Sequence, residues 1–149
     1  MDVYTLLYLV FVVAPIGTFV HESGHALGAS LVKANSIFLT IGTGRRVYEF
    51  TLRNIQVIIH LYFFIGGSVS SEREVPFDRF EKIWIAAAGP ICNSLLAIML
   101  WYVNSIYPHY SIVLLALFNF WVAGINIIPF QIRGRQSDGC RILMALIQK

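Results

Sequence analysis

The chain has 149 residues, 57% of them hydrophobic and 13% charged, with a formal net charge of +3 and a mean hydropathy of +0.69. An ordinary soluble domain carries about 25% charged residues, so this composition excludes that class and points to one membrane-embedded domain over 1–149. The basic residues form no run with interleaved aromatics, so the positive charge makes no case for nucleic acid as a partner.

The first apolar stretch, near 3–32, is long enough to span a bilayer, which takes roughly 20 mainly apolar residues. It opens Met1-Asp2-Val3, without the basic start of a secretory signal, and is read as a retained span. Inside it stands His21-Glu22-Ser23-Gly24-His25, an HExxH pattern. Two histidines four apart share one helical face about 6 Å apart along the axis, so both imidazoles can reach one metal ion, with Glu22 placed to act on water beside it. An ionisable residue within a span costs roughly 2.5–3.5 kcal/mol even on insertion scales, and three in one turn call for compensation. A bound cation supplies it; a hydrogen-bonded polar cluster at a helix interface is the other reading.

A small β-region follows, near 36–67. Ser36 to Phe50 reads SIFLTIGTGRRVYEF, whose Gly-Thr-Gly-Arg-Arg break between β-formers is a hairpin signal. Ile55 to Ile65, ending at Gly66-Gly67, is too short for a comfortable transmembrane helix and reads as a strand or interfacial segment. Open strand edges are not tolerated in lipid, so this region belongs at the membrane interface or against the spans. Ser68 to Lys82 reads as a polar linker, and further spans are expected near 83–103 and 112–132.

Basic residues set the orientation. Lys33, Arg45, Arg46, Arg53, Arg73, Arg79 and Lys82 lie between the first two spans, and Arg133, Arg135, Arg141 and Lys149 follow the third. None precedes the first span or falls within Asn104 to Ser111, so the N-terminus is expected outside and the C-terminus in the cytoplasm.

A catalytic zinc site usually has three protein ligands and an open position. His60, His109, Asp2, Glu49, Glu72, Glu74, Asp78, Glu81 and Asp138 are the remaining candidates, and topology puts Asp2 and His109 on the wrong side. Asp138 is the first choice, because Pro129 breaks the third helix at the right face. It reads equally as the N-cap of a helix over Cys140 to Gln148. Cys92 and Cys140 read as packing residues.

Three further elements then fall into order: Gly89-Pro90-Ile91-Cys92-Asn93, Asn126-Ile127-Ile128-Pro129 and Asp138-Gly139. With the HExxH motif they resemble the site-2 proteases, the intramembrane zinc metalloproteases of peptidase family M50. The resemblance implies a mainly α membrane fold, with a core of three transmembrane helices and a small membrane-associated β-region between the first two. It also implies a zinc ion held by His21, His25 and Asp138, Glu22 as general base, and Asn93 beside the site, orienting substrate or stabilising the oxyanion. The substrate would be a membrane protein, unwound against an edge of the β-region, in what is expected to be a prokaryotic plasma membrane. Asn119 and Asn126 are candidates to line a polar cavity or to bond between helices. One departure stands out: eight residues separate Pro129 from Asp138, longer than the family spacing, so the reach of Asp138 depends on the fold of Phe130 to Ser137. The alternative function is a noncatalytic metal-binding membrane subunit.

Overall fold

A computed structural model describes residues 2–132 and 134–147; Arg133 and Lys149, counted above among the basic residues, lie outside them, as do Met1 and Gln148. Among the described residues, three helices are long and apolar enough to cross a membrane: Val3–Leu31, Arg79–Ile106 and Tyr110–Ile127. The first is built from α1 (Val3–Tyr8), a π-helical turn over Leu9–Val13, and α2 (Ala14–Leu31). Pro15 has no N–H to return to the preceding turn, and just before it the ladder widens, with the Ala14 amide donating to the Leu9 carbonyl.

The second helix, α3 (Arg79–Ile106), opens on a capping box: Asp78 accepts from the Glu81 amide while Glu81 accepts from the Asp78 amide. Arg73 donates to the same Glu81 through two nitrogens, at 2.8 and 2.6 Å, and ties the preceding strand to the helix start. The third helix, α4 (Tyr110–Ile127), ends short of the expected 132. Ile128 precedes Pro129 and is extended, with ψ 126°, which closes the helix there.

α3 is the central helix, packed on α2, α4 and the short α5 (Asp138–Ile147). Its buried residues are Ala86, Ala88, Gly89, Pro90, Asn93 and Ala97, and α2 buries Gly24, Ala26, Gly28 and Ala29 beside His21 and His25. These small residues bring the backbones together: a Cβ at Gly24 would come within 2.6 Å of the Ala88 carbonyl oxygen. Phe19, Leu27, Leu95, Ile98, Trp101, Leu117 and Trp121 point outwards instead. A bundle stabilised by water would bury its large aliphatics; here small and polar groups are inside and large apolar ones outside.

The β-region is longer than 36–67, with β1 over Ser36–Leu52 and β2 over Ile55–Glu72. Ser68 to Glu72 therefore belongs to a strand and not to the linker. Gly42 to Arg46 interrupts the ladder but is not the turn of a hairpin. Ile37 and Leu52 both pair with Ile55, so the two halves of β1 flank the start of β2 and do not pair with each other. Gly42 and Gly44, at φ 80° and 92°, bend β1 out of register, and the tight turn comes at Arg53-Asn54. Residues 67–72 then return along the other edge of 36–41, with Ile41 opposite Gly67. Ile37, Leu39, Ile41 and Val57 cluster with Ala26 and Ala29 of α2. Each large buried aliphatic contributes about 1.5–3 kcal/mol, which seats the sheet beside the HExxH turn.

Candidate metal centre

α2 carries His21 and His25 one turn apart on its buried face, at 7% and 5% exposure. Both rings are fixed from behind. Nδ1 of His21 donates to Asn93 Oδ1 at 2.9 Å, and Nδ1 of His25 donates to the Ile85 carbonyl at 2.7 Å. Such partners select the ring orientation, leaving Nε2 as the coordinating atom. The two Nε2 atoms stand 3.1 Å apart. Gly89 gives His25 its room, since a Cβ there would lie 2.5 Å from His25 Nε2.

Asp138 joins them from the far end of the chain, with Oδ2 2.9 Å from His21 Nε2 and Oδ1 3.3 Å from His25 Nε2. The long spacing after Pro129 is taken up by a hairpin of β3 (Gln131–Ile132) and β4 (Arg135–Gln136), turning at Gly134 with φ 79°. Ser137 closes its neck. The Ser137 amide donates to the Phe130 carbonyl at 3.0 Å, while its Oγ accepts from the Phe130 and Cys140 amides and donates to the Ile128 carbonyl. Ser137, accepting from the amide three residues on, is therefore the cap of α5. Asp138 is left free to face the histidines. Burial opposes charging of its carboxyl, but the facing imidazoles of His21 and His25 outweigh that and hold its pKa at about 2.

His21, His25 and Asp138 thus offer three ligand atoms within 4.8 Å of one another. Ligands at 2.0–2.2 Å from a tetrahedral zinc are about 3.3–3.6 Å apart. The observed separations of 2.9 to 3.3 Å need to open by only about a few tenths of an ångström. Two imidazoles and a carboxylate match the donor type of catalytic zinc sites, so these residues could hold such an ion. A cavity of about 850 Å³ opens over them, lined also by Glu22, Gly67, Ser68, Val69, Asn126, Arg135 and Arg141. Glu22, partly buried, shares the wall with the donor atoms and is positioned to exchange a proton with a water in the cavity.

Asn93 is placed differently from the catalytic role expected of it. It is fully buried behind His21, and its Nδ2 donates to the Gly17 carbonyl at 3.1 Å and to Asn119 Oδ1 at 2.7 Å. Its amide hydrogens are committed to α2 and α4, so it orients His21 from outside the cavity. Asn119 is likewise fully buried and bonds between helices, whereas Asn126 reaches the cavity. His109 caps α4 and His60 lies in β2 opposite Arg46. The residues that sequence reasoning passed over are Ser137, Ile85 through its carbonyl, and the cavity-lining Arg135 and Arg141. Only Ser137 carried a local signal, a cap-forming serine three residues before Cys140.

A family model described as peptidase family M50 matches residues 6–112, which takes in His21 to His25 and Gly89 to Asn93. No curated protein matches the chain.

Proposed function

The chain belongs to peptidase family M50, a family that is typically metal-dependent, and on that premise we propose that it is a zinc-dependent intramembrane endopeptidase. Its substrate would be a membrane protein, cut in or near a transmembrane segment. The observation that carries the reading is the triangle of His21, His25 and Asp138 with Glu22 on the same cavity wall.

The outward-facing Phe, Leu, Ile and Trp side chains of the three long helices support insertion in a bilayer. The placement of Lys and Arg supports an outside N-terminus and a cytoplasmic C-terminus. In that frame His21 and His25 sit toward the cytoplasmic half of the first span, and the cavity admits water from that side.

A zinc ion, when bound, supplies the Lewis acidity that activates water and polarises the scissile carbonyl. Glu22 takes the proton from the attacking water at its carboxylate and delivers it to the leaving amine. Asn93 and the Ile85 carbonyl keep the two imidazoles in register, as outer partners of metal-binding histidines do. Asn126 and Gln136 both bring side-chain amides to the cavity wall; Asn126 donates one amide hydrogen to the Val122 carbonyl and keeps the other for a substrate carbonyl.

β2 supplies a place for the substrate. Residues 67–71 pair with 37–41 on one edge, and the other edge has no strand partner among the described residues. Gly67, Ser68 and Val69 of this stretch line the cavity, so an unwound substrate adds as a strand with its backbone beside the donor triangle.

The decisive experiment is Glu22→Gln in protein reconstituted in lipid vesicles with a membrane-spanning substrate. Zinc content should stay at the wild-type level while cleavage falls by about 10²-fold or more. Retained cleavage overturns Glu22 as the general base, and no cleavage by the wild-type protein overturns the protease reading and leaves the noncatalytic metal-binding subunit.

A further inference from the structure

A second cavity of about 350 Å³ adjoins the first. Gln136 and Arg141 line both and form the partition between them. Along β2, Gly67, Ser68 and Val69 border the first cavity and Ser71 the second, so the unpaired edge of this strand passes both openings. Phe77, Ile85 and Met144 give the second cavity an apolar side. Two cations, Lys82 and Arg141, stand on its wall and no carboxylate does. Neither cation is in an ion pair among the described residues.

We propose that this second cavity is a specificity subsite that receives an acidic side chain of the substrate, a few residues from the scissile bond. The inference rests on the reading of β2 as the edge on which the substrate pairs. From Val69 to Ser71 is one repeat of the pleat, about 7 Å, so a strand held at the first cavity presents a side chain to the second within the next few residues. The apolar walls cover the methylene stem, and the carboxylate is held by charge-assisted hydrogen bonds from Lys82 and Arg141, both solvent-exposed. A lysine at the same place meets two like charges, so the subsite selects by repulsion as well as attraction.

Binding separates this inference from the proteolysis it rests on. Zinc-loaded Glu22→Gln protein in nanodiscs of neutral lipid is titrated with fluorescent, otherwise apolar membrane peptides carrying one Glu, Gln or Lys, moved residue by residue along the peptide. At one position Glu should bind about tenfold more tightly than Gln. The preference should disappear in Lys82→Gln/Arg141→Gln, reverse toward Lys in Lys82→Glu/Arg141→Glu, and survive in Arg141→Lys, with melting temperatures showing that each variant folds. Equal affinity for Glu and Gln at every position overturns the subsite. So does a response of the two cations to anionic lipid in the disc with none to the charge of the peptide, which would make them a lipid-phosphate contact. If wild-type protein cuts none of the peptides, the reading of the function fails, while the Glu-to-Gln affinity ratio still decides the subsite.

Discussion

Ser137 and Phe130 are joined by two hydrogen bonds, Ser137 N to the Phe130 carbonyl and Phe130 N to Ser137 Oγ, each 3.0 Å long. This clasp makes a long connection behave as a short one. Everything between the two residues is looped out as the small β3–β4 hairpin, and Asp138 arrives beside His21 as though the chain had passed almost directly from Phe130 to Ser137. The same hydroxyl also caps α5 through the Cys140 amide, so one side chain fixes both the neck of the hairpin and the start of the helix that carries the carboxylate.

Ser137→Ala removes all of the hydroxyl's hydrogen bonds. Loss of a cap costs about 1 kcal/mol, and the Phe130 amide loses its partner as well. Asp138 then approaches the histidines with less constraint. Zinc affinity, read by competition with a chromophoric chelator, should fall by about 10- to 100-fold, as for loss of an outer partner of a metal ligand. Unchanged affinity would show that the backbone bond from residue 137 to the Phe130 carbonyl, together with the β3–β4 pairing, is enough to set the reach of Asp138.

Gly89→Ala tests the contact between α3 and the imidazole of His25. A Cβ at Gly89 would stand 2.5 Å from Nε2 and 2.6 Å from Cε1 of that ring, so either the ring or the helix must move. Overpacking of this kind costs about 1–3 kcal/mol, and here the strain falls on a candidate ligand. Purified protein should contain much less zinc than wild type. Gly124→Ala is the control, because a Cβ at Gly124 meets nothing within 4 Å, and its zinc content should be unchanged.

Asn93 separates positioning from direct catalysis. Its Oδ1 accepts from His21 Nδ1, and its Nδ2 is committed to Gly17 and Asn119. Asn93→Leu should therefore lower zinc affinity by about 10- to 100-fold, and Asn93→Asp, which keeps an acceptor for Nδ1, should recover part of it. An oxyanion donor would behave otherwise: its loss costs about 10²–10³ in kcat with the metal still bound. Full zinc occupancy in Asn93→Leu together with such a loss would restore the catalytic role expected from sequence.

What was legible in the sequence is what depends on short spacing. His21 and His25 share a face because of helical periodicity, and Pro129 ends α4 because the residue before a proline leaves helical geometry. The β-region was visible as composition, but its pairing was not. The Gly42 to Arg46 break looks like a hairpin turn locally, and only the competing partnership of both halves of β1 with 55–60 makes it a bend. Asn93 illustrates the same limit at the candidate site: its place in a motif marks it as important, while its hydrogen bonds to Gly17 and Asn119 depend on how three helices pack. Asp138 was legible as a candidate, and what frees its carboxylate from capping to face the histidines is the hydroxyl one residue earlier.

Gly67 links the sheet to Glu22, the proposed general base, and its substitution should act on turnover without touching the donor triangle. A Cβ there would lie 2.8 Å from Glu22 Cγ, 3.0 Å from the Thr40 carbonyl oxygen and 3.1 Å from Thr18 Cγ2. The Thr40 carbonyl belongs to the paired strand and cannot yield easily, so the displaced group is Glu22. Moving a reacting group by about 1 Å can cost 10²-fold in rate, whereas His21, His25 and Asp138 keep their contacts. Gly67→Ala should therefore retain zinc at the wild-type level and cut a membrane-spanning substrate about 10- to 100-fold more slowly, chiefly in kcat. A rise in KM with kcat unchanged would mean that the added methyl obstructs the substrate strand on β2 and leaves Glu22 in place.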